Sequence, residues 1–171
     1  MGVATLVAPA GAGPVSNTAQ PLPSPSSTSG TGGQLTAPKP KGSDLPLECG
    51  GIPVKIVQSF SAVLPDSRTP VTVVDAHCDS GTGTPPDGLF VLVPTGTPGK
   101  ARIGATLITE KQRMTVRAMG MRPDGSIHAT VDTYSNDTVP NCCPDVHETL
   151  TWSYANGNWT GQGVSANQAS A

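Results

Sequence analysis

Pro53-Val-Lys-Ile-Val-Gln-Ser-Phe-Ser-Ala-Val-Leu64 is the stretch on which the fold class turns. Val54, Val57, Ser61 and Leu64 mark one row at helical spacing and Ile56, Phe60 and Val63 the next, with Lys55, Gln58 and Ser59 elsewhere. One apolar face results, which predicts an amphipathic helix. Pro53 suits the first helical turn, and Pro65 stops the helix after Leu64.

Past Pro65 the period changes to two and β-branched residues take over. Residues 71–78 read as a buried strand, Asp87-Gly88 breaks the chain before a strand at 89–93, and the Gly/Pro turn at 95–100 leads into a strand at 101–108. Residues 112–121 and 126–135 flank Arg122-Pro-Asp-Gly125, a tight reversal, and predict the longest hairpin. The last hairpin joins 148–154 to 158–161 through Asn156-Gly157, which favours a type I′ turn. With no strand–helix alternation, the expected fold is α+β: one N-terminal amphipathic helix packed on a curved antiparallel sheet of about six or seven strands.

Four cysteines, Cys49, Cys78, Cys142 and Cys143, staple this domain. A bridge between the adjacent pair would close a strained eight-membered ring. On an extended segment successive side chains point opposite ways, so the expectation is that Cys49 pairs with one member of the pair and Cys78 with the other, in either order. A core with only two Phe, two Tyr and two Trp needs such staples. Disulfides persist in oxidising compartments, which predicts an extracytoplasmic protein, secreted or associated with the cell envelope.

Residues 1–15 are apolar and small and look like the tail of a signal peptide; Ala8-Pro9-Ala10 and Ala10-Gly11-Ala12 have the small-x-small form of a cleavage site. An ordinary disordered N-terminus is the competing account. Residues 16–48 are dominated by Pro, Ser, Thr, Gly and Ala, lack aromatics, and predict a disordered tether whose Ser and Thr could carry sugar. The folded domain is expected over 49–161, with a disordered tail at 162–171.

Chemical motifs are sparse. Zinc sites favour spaced pairs such as Cys-x-x-Cys, and His77 and His147 beside the cysteines do not supply one, so no metal and no cofactor is expected. Asp75, His77 and Asp79 alternate along one strand, where they could hold a metal or form its solvated edge. His128, Asp132, His147 and Glu148 stand apart in the sequence, and no Gly-x-Ser-x-Gly occurs. A formal net charge of -2 without a basic run argues against nucleic acid. The absence of a long apolar segment argues against a membrane span.

Taken in order, the Asp87-Gly88-Leu-Phe-Val strand, Gly104-Ala-Thr106, Met114-Thr-Val-Arg117, Asn141-Cys-Cys-Pro-Asp145 and Thr151-Trp-Ser-Tyr resemble the LppP/LprE lipoproteins of actinobacteria over most of residues 49–161. Cys-Cys-Pro followed by an aromatic hairpin is the most specific element. The resemblance implies an envelope-associated domain; a lipid-anchored start would need a Cys after small residues, whereas Cys49 follows Glu48. The favoured function is a non-enzymatic binding or accessory module meeting an envelope protein or glycan, with Trp152, Tyr154 and Trp159 as ligand contacts. Core filling is the competing account for these aromatics. The alternative function is a hydrolase or metal-dependent enzyme, or a peptidase-inhibitor-like domain built as a cystatin-like, helix-wrapped sheet.

Overall fold

A computed structural model describes residues 35–81 and 83–161. Eight strands run through them: β1 (Val54–Val63), β2 (Pro70–Cys78), β3 (Gly88–Pro94), β4 (Ala101–Ile108), β5 (Thr115–Met121), β6 (Ile127–Thr133), β7 (Val146–Ala155) and β8 (Asn158–Gly161). Two 3-10 turns, Gly42–Asp44 and Glu110–Gln112, complete the regular structure. The strands form two four-stranded antiparallel meanders, β1-β2-β3-β4 and β5-β6-β7-β8. None of the described helices is long and apolar enough to cross a membrane. The expected signal-peptide remnant at 1–15, the part of the expected tether before residue 35 and the expected tail at 162–171 lie outside the described residues.

The expected α+β fold is therefore corrected to an all-β one, and the element that changes is the expected helix at 53–64. In β1 the even-numbered residues are half-buried and the odd-numbered ones exposed along the whole strand. Val57 and Val63, which complete the helical stripe on paper, point outward at 46% and 53% exposure. Two outward valines on a period-two strand thus imitated a 3.6-residue period. A β-bulge between Ile56 and Gln58 adds to the ambiguity: Ile56 pairs with Ala76 but Gln58 with Asp75, so the extra residue turns the two halves of the strand to opposite faces of the sheet.

That switch serves two cores. The larger one fills the space between the sheets, where Val71, Val73, Leu89, Val91 and Leu107 of the first meet Val116, Ile127, Val131, Leu150 and Trp152 of the second. Phe60 and Ala62, from the second half of β1, pack against it. The smaller one, Val74, Ala76, Phe90, Leu92 and Leu45, lies on the other face of the first sheet, joined by Val54 and Ile56 from the first half of β1. Strands β2 and β3 are consequently buried on both faces, which explains their nearly continuous apolar sequence.

The cover over that second face is the final part of the expected tether. Leu45 is buried, Leu47 packs beside it, and the Thr72 hydroxyl donates to the Pro38 carbonyl at 2.6 Å. Residues 35–48 thus lie on the first sheet, where two leucines in a Pro- and Lys-rich run cover apolar surface that β2 and β3 cannot bury alone. The Arg122–Gly125 reversal closes through a Gly125 N–H donated to the Arg122 carbonyl at 2.9 Å. Gly125 has φ 83°, and a Cβ there would meet Pro65 at 2.3 Å, so that turn requires glycine twice over. Asn156 and Gly157 both have positive φ, as a type I′ turn demands.

The disulfide pairing also differs from expectation: Cys49 bridges Cys78, with Cα atoms 5.4 Å apart, and Cys142 bridges Cys143. Cys78 ends β2, and Gly50 and Gly51, both at positive φ, let the chain turn so that Cys49 comes beside it. The premise of an extended Cys142-Cys143 segment fails because the chain turns there, with the Cys143 N–H donated to the Pro140 carbonyl. Replacing both Cys49 and Cys78 by Ala is expected to lower stability by about 3.6 kcal/mol, the chain-entropy value for a sequence separation of 29. Urea midpoints of the double variant check this; an unchanged midpoint would show that packing alone holds residues 35–48 in place.

Candidate functional site: two carboxylate–histidine pairs and an arginine

Strand β2 places Asp75 on the same face as Val71 and Val73, toward the second sheet, where it is fully buried. Its Oδ2 accepts from Gln58 Nε2 at 3.0 Å, while Oδ1 has no partner. Asp87, just before β3, is buried too; its Oδ2 accepts the Val116 backbone N–H at 2.6 Å and its Oδ1 lies 2.8 Å from His77 Nδ1. One carboxylate thereby ties the first sheet to β5 of the second. Burial, reinforced by the negative charge of Asp87, pushes the Asp75 carboxyl up to about 7. Burial also raises Asp87, against the lowering effect of its bonds from Val116 and His77 and of the charge of Arg117.

The second pair stands on the opposite face of the second sheet. Val131 points into the core, so its neighbour Asp132 points outward, and the register sets His147 directly across from it on β7. His147 Nδ1 lies 2.5 Å from Asp132 Oδ1, and Arg117 Nε donates to Asp132 Oδ2. Burial pushes the Asp132 carboxyl up, but the bonds from His147 and Arg117 and the charge of Arg117 outweigh it and hold the group below its usual range. Arg117 occupies a β-bulge between Val116 and Ala118. That irregularity lets successive residues of β5 serve both sites: the Val116 backbone binds Asp87 and the Arg117 side chain binds Asp132.

Asp75 and His77 of the expected Asp75-His77-Asp79 face therefore belong to the interior rather than to a solvated edge, and Asp79 alone is exposed. His77 finds its partner in Asp87, which the sequence presents only as a turn residue before glycine, whereas Asp75 is bonded by Gln58. Arg117 carried no sequence signal, since nothing in Met114-Thr-Val-Arg117 marks a bulge. His128 is held near Gly120, where a Cβ would come within 3.0 Å of its ring, and Glu148 is exposed. Among the described residues no group of three or more His, Cys, Asp or Glu side chains is arranged to hold a metal ion.

The three expected ligand contacts separate. Trp152 is fully buried in the core between the sheets, whereas Tyr154 and Trp159, cross-strand partners with ring centroids 5.1 Å apart, are half-buried at its margin. A cleft of about 590 Å³ between residues 35–41 and the turn at 94–100 presents Lys39, Lys41 and Lys100, with no carboxylate or histidine in its wall. Chemically, Asp132 can fix the tautomer of His147 and leave its Nε2 edge toward solvent, the ring being 76% exposed. Among the described residues the hydrogen-bond partner of the His147 ring is Asp132, not a hydroxyl or thiol.

The fold and site define a disulfide-stapled sandwich of two antiparallel meanders with a charged row on one open face. No family model, curated protein or solved structure matches the chain.

Proposed function

We infer that the chain is a non-enzymatic recognition module of the cell envelope that takes a glycan on the outward face of its second sheet. The observation that carries this reading is an asymmetry. The outer face of the first sheet is covered by residues 35–48. The outer face of the second exposes Thr130, Thr149 and Ser153 around the ordered row Arg117, Asp132 and His147. A row of hydroxyls, one imidazole and one guanidinium held in place by a carboxylate offers donors and acceptors at fixed spacing, which suits a hydroxyl-rich ligand. The bridge Cys49–Cys78, the Pro/Ser/Thr-rich segment before the domain and the resemblance to LppP/LprE lipoproteins support the envelope setting.

Immobilised full-length protein is expected to retain purified cell-wall polysaccharide, and Thr130→Ala with His147→Ala is expected to weaken retention by about ten-fold, the cost of roughly 1.4 kcal/mol in lost hydrogen bonds. Retention unchanged in the double variant would remove this face from consideration. Failure of the wild type to retain any envelope polysaccharide would end the glycan reading. The Asp132–His147 pair favours one second reading, a hydrolase using His147 as a base toward water. Turnover of the polysaccharide that disappears in His147→Ala would select it.

A further inference from the structure

The two disulfides of this domain do different work. Cys49–Cys78 spans a sequence separation of 29 and fastens the cover over the smaller core; both its residues are partly buried. Cys142–Cys143 spans a separation of 1, so it closes no chain loop and removes almost nothing from the unfolded ensemble. Stapling therefore does not account for it. Both of its residues are exposed.

The segment that presents this bridge is held on either side of it. Tyr134 Oη donates to the Asn141 carbonyl and Arg113 Nη2 to Asn141 Oδ1, each at 2.6 Å. The Arg113 guanidinium also stacks over the Tyr134 ring, 4.2 Å from its centroid. On the far side the Ser135 N–H and hydroxyl donate to the two Asp145 carboxylate oxygens at 2.9 and 2.7 Å. Residues 141 and 145 are thus fixed on either side of the two exposed cysteines.

We propose that Cys142–Cys143 is a thiol–disulfide exchange site whose co-substrate is a dithiol, separate from the structural bridge. A thiolate of the dithiol attacks one of the two sulfurs; the S–S bond breaks, a mixed disulfide forms, and the neighbouring cysteine leaves as a thiolate. The second thiol of the dithiol then attacks the mixed disulfide and releases the cysteine held in it as a second thiolate, and the co-substrate departs as its own disulfide. Two electrons and two protons pass to Cys142 and Cys143, and the reverse sequence reoxidises them. Access is one determinant of the rate of such exchange, and the exposed Cys142–Cys143 offers more of it than the partly buried Cys49–Cys78.

Air-oxidised full-length protein is incubated with graded dithiothreitol, quenched with iodoacetamide and mapped by peptide mass spectrometry, with near-ultraviolet circular dichroism taken at each point. Cys142 and Cys143 are expected to be alkylated at about ten-fold lower dithiothreitol than Cys49 and Cys78, with the fold signal unchanged over that first step. Simultaneous opening of the two bridges, the reverse order, or opening of Cys142–Cys143 only once the fold is lost would overturn the proposal. Alkylation of both residues in the untreated protein would overturn it as well.

Discussion

Asp75→Asn is expected to stabilise the protein at about pH 8 by on the order of 3 kcal/mol and to leave it nearly unchanged at about pH 4. Burial lifts Asp75 from the ordinary 3.8 to about 7, so between those values the folded protein keeps a proton that the unfolded chain releases. Stability of the wild type must then fall as pH rises through that window, and level off above it. Above it the Asp75 and Asp87 carboxylates share the space between the sheets, with the His77 ring hydrogen-bonded to Asp87 and the charge of Arg117 further out. The amide of Asn carries no charge at any pH, and its carbonyl can still accept from Gln58. Urea unfolding of both proteins across this range checks the claim; a flat wild-type profile, or a variant weaker throughout, would show that the pair is ionised and compensated.

Trp152→Ala is expected to cost roughly 3–5 kcal/mol, the range for truncating a fully buried large side chain. Against a typical total of about 5–15 kcal/mol, that is enough to leave much of the protein unfolded at physiological temperature. Trp152 lies between Ile127 on β6 and Gly161 on β8, and Gly161 has no side chain because a Cβ there would come within 2.5 Å of the indole. The hairpin has been shaped around this ring. Trp152→Phe should lose much less, and thermal melts of the two variants give the ordering. Equal and small losses in both would place the indole outside the core.

How far the sequence could be read follows from where its signals were local. Period-two alternation and turn chemistry marked β2, β3 and β4 and the three hairpin turns, because Asn156-Gly157 or Arg122-Pro-Asp-Gly125 constrain the backbone through their own residues. β1 was misread because its outward positions hold Val57 and Val63, and a strand with apolar residues on both faces has no clean period. The site was less legible still. Asp75 and His77 could be named, but Asp87 acts through a partner strand and Arg117 through a bulge, neither of which leaves a mark in the one-dimensional pattern. The cover at 35–48 depended on Leu45 and Leu47, two apolar residues whose importance comes from the exposed faces of β2 and β3 rather than from their own neighbours.

The sharing of β1, β2 and β3 between both cores has a consequence for how the molecule comes apart. Val73 faces one cluster and Val74 the other; Val91 and Leu92 do the same, and the bulge lets β1 enter both. Lifting residues 35–48 away would wet Phe90 and Leu92 on a strand that also carries Leu89 and Val91 of the larger core, so the covering segment is expected to have no melting transition of its own. Heat or denaturant should therefore meet a single cooperative unit, in which residues 35–48 report on a core on the far side of β2 and β3.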